Sequence, residues 1–212
     1  MKNTLLLLMA VLAGSSASAD LIALEAEAYS AVSGSPTFNT VSSAGASGMA
    51  ITASDNSQGA FVSYAFNLAN AGSYVLYARV FSPNNTDDSF YAPTQGEFDG
   101  NSTNPSLAIN NLSNSNNTSY RWVNTNAGTF VGEGGTTTGT APLYTMAAGA
   151  NTFTLRARED GLMLDAVAFG SGADASITDA SILDNALASV VPEPSAAALM
   201  ILGVALLRLR RR

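Results

Sequence analysis

The sequence predicts an all-β protein, an antiparallel β-sandwich, and three observations predict it. Short segments that alternate in character follow one another along the chain, as strands do when one face meets a core. Between them lie turn-forming stretches rich in Gly, Asn, Ser and Thr. No long segment with a helical apolar period separates them, which argues against an α/β arrangement.

The first element stands outside that fold. Lys2, the apolar run Leu5 to Ala13, and Ala17-Ser18-Ala19 read as the charged start, hydrophobic middle and A-x-A site of a signal peptide over 1–19, cleaved before Asp20. The apolar run is too short for a membrane span. No cysteine follows it, which excludes a bacterial lipoprotein.

The sandwich is expected over 20–171. Residues 22–28, Ile-Ala-Leu-Glu-Ala-Glu-Ala, alternate as a strand with Glu25 and Glu27 on one face and Leu24, Ala26 and Ala28 on the other. Phe61, Tyr64 and Phe66 mark a strand at 60–67. Residues 73–80 set Tyr74, Leu76 and Ala78 against Val75, Tyr77 and Arg79, and Asn70-Ala71-Gly72 between these two strands reads as a tight hairpin. Further strands are expected at 49–53, 88–92, 120–124, 143–146, 151–157 and 162–169. Phe153, Leu155 and Ala157 share one face, and Met163, Asp165, Val167 and Phe169 another. The Asn- and Ser-rich 101–119 and the Gly- and Thr-rich 132–140 read as long loops. Residues 172–190, polar and Ala-rich with Asp174, Asp179 and Asp184, read as a linker holding a weak helix at 179–188.

Composition excludes several chemistries. With no cysteine and no histidine, disulfides, thiol catalysis, Ser-His-Asp hydrolysis and ordinary zinc sites are removed together. Between the two ends, Arg79, Arg121, Arg156 and Arg158 face fifteen acids, about eleven net negative charges. Nucleic acid and anionic membrane are therefore poor partners, whereas neutral glycans and divalent cations are compatible. An all-oxygen site suits calcium.

The chain closes on Val191-Pro192-Glu193-Pro194-Ser195, an apolar run from Ala196 to Leu207, and Arg208, Arg210, Arg211 and Arg212. Arginines after an apolar helix stay on the cytoplasmic side of a membrane. The run falls short of the ~20 residues that span a bilayer comfortably. Residues 191–212 resemble the PEP-CTERM sorting signal of Gram-negative bacteria, with Pro192, Glu193 and Pro194 as the motif, a transmembrane helix and a basic end. The resemblance implies an exosortase-type protease as partner, transient insertion in the inner membrane, and a destination at the cell surface or in the extracellular matrix. An ordinary C-terminal anchor is the simpler alternative.

A second resemblance runs from 24 to 169. Its residues are Leu24-Glu25-Ala26-Glu27-Ala28-Tyr29, Ala71-Gly72-Ser73-Tyr74, Asp87-Asp88-Ser89-Phe90, Trp122, Ala148-Gly149-Ala150-Asn151-Thr152, Arg158-Glu159-Asp160-Gly161 and Leu164-Asp165-Ala166-Val167. In that order they resemble the carbohydrate-binding modules of families 6 and 35, which are jelly-roll sandwiches. The long Asn-rich insertion between Phe90 and Trp122 departs from the pattern and leaves the binding loops unaligned.

Two carboxylates leaving one strand face repel each other unless a cation lies between them or their pKa values rise. Asp165 stands on a strand that a jelly roll sets beside the first, and the resemblance implies a structural calcium (Ca2+) held by Glu25, Glu27 and Asp165. Solvated surface acids remain the alternative. For a sugar, Trp122 is either a stacking platform or an intersheet core residue, and the sequence leaves both open. Tyr91 is the aromatic expected to face outward beside a buried Phe90. Asp87, Asp88, Asn124 and Asn126 are candidates for hydrogen bonds to sugar hydroxyls.

The expectation is an exported, non-catalytic module that holds polysaccharide, such as the producer's own. One rival is a structural matrix or adhesion protein. The other is a polysaccharide-degrading enzyme, which needs two carboxylates across an open groove. A joint solvent-facing patch of Trp122 and Tyr91 separates the sugar reading from adhesion.

Overall fold

The computed structural model describes residues 20–35, 37–56, 58–98, 105–113 and 118–190. The expected signal peptide, the Pro192-Glu193-Pro194 motif and the apolar run after it lie outside them. Among the described residues no helix is long and apolar enough to cross a membrane.

The described residues form an antiparallel β-sandwich. Its strands are β1 (Leu21–Glu25), β2 (Ala31–Ser33), β3 (Phe38–Val41), β4 (Ala50–Ala53), β5 (Phe61–Leu68), β6 (Gly72–Phe81), β7 (Phe90–Ala92), β8 (Leu107–Ile109), β9 (Arg121–Asn124), β10 (Thr129–Phe130), β11 (Tyr144–Met146), β12 (Gly149–Ala157) and β13 (Met163–Ser171). One sheet of eight strands runs β10-β9-β6-β13-β4-β3, with β1 beside β13 and β11 beside β6. The other, of five, runs β2-β5-β12-β7-β8. β1 lies antiparallel to β13, from Leu21 opposite Gly170 to Glu25 opposite Ala166, so the first and last strands are neighbours.

The alternation read from the sequence decides which side chains fill the space between the sheets. Tyr64, Phe66 and Leu68 enter from β5, Tyr74, Leu76 and Ala78 from β6, and Phe153 and Leu155 from β12. Phe66 stacks on Phe169 at 4.8 Å, and Phe153 meets Tyr144 and Phe169 edge-on, each at 4.9 Å. Such pairs add about 0.5–1.5 kcal/mol each beyond their burial.

Several expectations need correction. β5 and β6 belong to different sheets, so Asn70-Ala71-Gly72 is a corner between layers rather than a hairpin turn. The strand expected over 22–28 stops at Glu25, and Ala26–Ala28 is a single 3-10 turn. Ala26 is wholly buried there, its carbonyl accepting the Tyr64 hydroxyl at 3.0 Å. In β13 the register slips between Leu164 and Ala166. Leu164, Val167 and Phe169 face the intersheet core, Ala166 and Ala168 the opposite side, and Asp165 is the extra residue of the bulge. The expected common face is therefore split: Val167 and Phe169 line the core with Leu164, whereas Asp165 reaches Arg79 on the outer side. The expected loop 101–119 contains β8, and Asn110 and Thr138 exchange backbone hydrogen bonds at 2.9 Å across the expected loop 132–140.

The expected linker 172–190 is packed against the domain. Residues Gly172–Ser176 form a 3-10 turn and Ala180–Ala188 an α-helix, α1, whose N-cap Asp179 accepts the Ser181 amide at 2.9 Å. Leu183 and Leu187, one turn apart, are buried with Ala23, Val75, Tyr77, Trp122, Ala166 and Ala168 on the outer face of the eight-stranded sheet. That sheet is thus covered on both sides. Its second cover is a helix whose apolar stripe is mostly two leucines, too thin a signal for the sequence to mark as packed.

Candidate functional site

Glu25, Glu27 and Asp165 are brought together, with the loop 45–49 as their common partner. Ser47 donates its amide to Asp165 Oδ1 at 2.9 Å and its hydroxyl to Glu25 Oε2 at 2.7 Å, while the Met49 amide donates to Glu27 Oε1 at 2.8 Å. Glu25 arrives from the end of β1, Glu27 from the 3-10 turn and Asp165 from the β13 bulge. The grouping arises from a turn and a bulge, not from the strand alternation that suggested it.

A fourth group joins them. Arg79, on the outer face of β6, pairs its guanidinium with Asp165 Oδ2 and donates to the Gly45 carbonyl at 3.1 Å. Three carboxylates against one guanidinium leave two negative charges uncompensated. Glu25 Oε1 and Glu27 Oε2 are buried and have no hydrogen-bond partner. Burial, with the charges of Glu27 and Asp165, pushes the Glu25 carboxyl above its ordinary range, against the Ser47 hydrogen bond and Arg79. Gly48 closes over this corner: a Cβ there would lie 2.3 Å from Glu27 Oε1. The oxygen donors and residual charge are of the kind a hard divalent cation takes, although the Arg79 guanidinium already pairs with Asp165. Among the described residues, however, no three Asp, Glu, His or Cys side chains close on one point as a complete metal cage does, so backbone oxygens and water must finish any coordination shell.

The residues expected to bind sugar are not brought together. Trp122 is 2% exposed on the outer face of the eight-stranded sheet, beneath α1, and its indole nitrogen donates to Asp184 Oδ1 at 2.8 Å. Of the two alternatives left open for it, the structure gives the buried one, between sheet and helix instead of between sheets. Asn124 caps the turn after β9, its Oδ1 accepting the amides of Asn126 and Ala127, and the Asn126 side chain donates to the Ala141 carbonyl. Asp87 accepts the Asn84 side chain at 2.7 Å. Asp88, nearly buried, accepts the Ser113 hydroxyl at 2.9 Å while its amide donates to Glu159. These four residues hold loops in shape. Tyr91 lies on the other sheet, so it shares no patch with Trp122.

Tyr91 does face outward, with Phe90 buried behind it, and it belongs to a row that sequence reasoning missed. Across the five-stranded sheet, Ser33 lies opposite Phe61, Phe61 opposite Arg156, Arg156 opposite Tyr91 and Tyr91 opposite Ala108. The Arg156 guanidinium sits 4.5 Å from the Tyr91 ring centroid and 5.9 Å from that of Phe61. It donates to the Pro105 carbonyl at 3.3 Å, and the Tyr91 hydroxyl donates to Gln58 Oε1 at 3.1 Å. Ser63 and Thr154, whose hydroxyls are 2.8 Å apart, form the next row, followed by Ala65 opposite Thr152. A ridge of two rings and a guanidinium thus borders a row of small, hydroxyl-bearing side chains, in which Ser63 is half-buried and Thr154 buried. Pairing register carries this arrangement, and register between strands far apart in sequence is not written in local alternation.

No paired carboxylates flank a cleft among these features. The pocket of about 230 Å³ lined by Asp20, Leu21, Ile22, Asn67, Leu68 and Ala69 holds one acid, Asp20, which accepts hydrogen bonds from Asn70 and Tyr74.

No protein-family model matches the chain, and no curated protein matches it. Solved structures with a similar chain path exist. The C-terminal CBM6 of the laminarinase LamC from Zobellia galactanivorans is 15% identical, with a TM-score of 0.46 over 72% of this chain and all of that one. A family 35 carbohydrate-binding module from Clostridium thermocellum is 16% identical, with a TM-score of 0.48 over 71% of this chain and 97% of that one. The CBM6-3 module of Clostridium stercorarium, solved in complex with cellobiose, is 19% identical, with a TM-score of 0.46 over 71% and 93% of the two chains. Similarity at this level carries no argument about what this chain binds.

Proposed function

We propose that the chain is an exported, non-catalytic sugar-binding module and that glycan is received on the outer face of the five-stranded sheet. The observation that supports this is the row Phe61–Arg156–Tyr91 beside the Ser63–Thr154 pair. An aromatic face offers the C–H-rich face of a pyranose an apolar contact, and neighbouring hydroxyl and amide groups meet its hydroxyls. A wide, shallow sheet face suits a polymer lying across strands. No pair of acids with a raised pKa on opposite sides of a groove supports the degrading-enzyme reading.

Glu25, Glu27 and Asp165 are proposed to hold a structural calcium, which would supply the positive charge their unpartnered oxygens lack and tie the first strand to the last. Residues 1–19 and 191–212 are proposed to export and sort the module through an exosortase-type protease acting near Pro192-Glu193-Pro194, to the cell surface or extracellular polysaccharide. That part rests on sequence alone.

A glycan array with the chain from Asp20 to Val190, with calcium and with a chelator, tests the reading. Retention of a polysaccharide that Tyr91→Ala weakens at least about tenfold, with an unchanged unfolding midpoint, is the expected result; central aromatic contacts are worth more than ~1 kcal/mol. Binding to no glycan at all would favour the matrix or adhesion protein.

A further inference from the structure

Asp20, the residue expected to head the chain once residues 1–19 are removed, has all of its polar groups engaged. Its carbonyl accepts the Ser171 amide at 3.1 Å, and its nitrogen donates to the Ser171 hydroxyl at 3.2 Å, at the end of β13. Its carboxylate accepts the Asn70 amide at 2.8 Å and, at 3.0 Å each, the Asn70 side chain and the Tyr74 hydroxyl. Those three donors are neutral, and among the described residues no arginine pairs with this carboxylate. The pocket of about 230 Å³ beside Asp20 leaves room for water around a charge. We propose that this corner receives the processed N-terminus: the ammonium freed at Asp20 keeps the Ser171 hydroxyl as acceptor, gives the Asp20 carboxylate its cation, and so completes the fastening of β1 to β13.

Hydrolysis of the Ala19–Asp20 bond places the hydroxyl of water on the Ala19 carbonyl carbon and its other hydrogen on the Asp20 nitrogen. That nitrogen takes one more proton from solvent at neutral pH, so an amide with one hydrogen becomes an ammonium with three and a positive charge. The groups around it favour that charge. Tyr74 is raised by burial and by its bond to Asp20, and it stays a neutral donor. Tyr64, Tyr77 and Tyr144 give their hydroxyls to the carbonyls of Ala26, Asp174 and Pro93. Glu25, Arg79 and Asp165 gather at the opposite end of β1, where Glu25 and Arg79 both pair in register with Ala166. The segment after β13 adds only acids, Asp174, Asp179 and Asp184. An ammonium beside a carboxylate keeps its proton to higher pH, so its stabilisation is complete below the unfolded amine's value and is lost as pH rises through the folded one. The inference rests on cleavage before Asp20, but it concerns what the new terminus does in the fold.

The test compares the chain from Asp20 to Arg212, in detergent, with the same chain acetylated at its N-terminus. Two readouts are used: the urea midpoint from the fluorescence of Trp122, the only tryptophan, and the titration of the Asp20 amine by 15N NMR. At pH 6.5 the free amine should hold the fold to higher urea than the acetylated chain, and the gap should narrow towards pH 9.5. The amine should titrate about half a unit above its ordinary ~7.7–8.0, the scale of an exposed ion pair. Ser171→Ala, which removes the acceptor, should bring that value back towards the ordinary one. Equal midpoints at pH 6.5, or an amine that titrates at its ordinary value, would overturn the receiving corner while leaving cleavage before Asp20 untouched. N-terminal sequencing of the exported protein tests the cleavage itself: a first residue of Asp20 supports the proposal, and any other first residue sinks both.

Discussion

The indole nitrogen of Trp122 donates to Oδ1 of Asp184 at 2.8 Å, binding a residue of β9 to a residue of α1 sixty-two positions later. The bond is satisfied under a helix whose leucines exclude water from the ring. An indole buried against Val75, Tyr77, Leu183 and Leu187 contributes packing that a smaller side chain forfeits.

Trp122→Ala is accordingly a stability variant. Truncating a buried aromatic costs about 3–5 kcal/mol, with the Asp184 hydrogen bond lost as well. A urea transition should show that loss directly. Any drop in glycan binding should follow the unfolded fraction and disappear at low temperature, where the folded form is repopulated. A folded Trp122→Ala protein of unchanged midpoint that has lost binding would reassign Trp122 to the sugar site.

Ending the chain at Ser171 should destabilise the sandwich. Leu183 and Leu187 are buried only through α1, and withdrawing two leucines from water is worth ~3–6 kcal/mol. The ordering entropy of the nine helix residues opposes this, while the uncovered faces of Val75, Tyr77 and Trp122 add to it. The fragment 20–171 should melt at lower denaturant than 20–190 and expose apolar surface to a hydrophobic dye. Equal midpoints would return 172–190 to the status of a linker.

Much of the body was legible because its strands have one apolar face. Tyr74, Leu76 and Ala78 pointing one way, and Val75 and Tyr77 the other, is what the alternation in β6 specifies. Both sides of β6 turned out to be buried, which explains why its run is almost wholly apolar. Short edge strands such as β2 and β8, three residues each, carry too few positions to show a period. The carboxylate trio was legible as a set but not in its mechanics, since neither the 3-10 turn that places Glu27 nor the bulge that frees Asp165 has a residue signature in this chain. The ridge of Phe61, Arg156 and Tyr91 was illegible for a different reason. Its members come from three strands, and only long-range register lines them up.

Glu25→Gln should separate the cost of the carboxylate cluster from its use. Without calcium, burial and its acidic neighbours raise the Glu25 pKa above the ordinary 4.5. The protonated form therefore favours the folded chain. That stabilisation is complete below about pH 4.5 and is lost as pH climbs through the raised value. Glutamine removes the titration and can still accept the Ser47 hydroxyl. In chelator, Glu25→Gln should melt above the unsubstituted chain at pH 7 and level with it at pH 4. In calcium the order at pH 7 should reverse. A variant that is less stable in chelator at neutral pH would mean that the charge on Glu25 is already compensated.

Asp20 should show the opposite pH dependence. Desolvation pushes its carboxyl up, but hydrogen bonds from the Asn70 amide at 2.8 Å, the Tyr74 hydroxyl at 3.0 Å and the Asn70 side chain at 3.0 Å outweigh it and hold the group below its ordinary 3.8. A depressed pKa stabilises the fold above the unfolded value and ceases to do so as pH falls through the folded one. The bonds fasten the start of β1 to the corner between the sheets, while the Asp20 amide donates to the Ser171 hydroxyl at 3.2 Å at the far end of β13. Asp20→Ala should therefore lower the urea midpoint at pH 7, and the gap should narrow as acid carries the pH down through the depressed folded-state pKa. A gap that persists undiminished at pH 2 would assign the loss to packing at this corner instead of to the carboxylate.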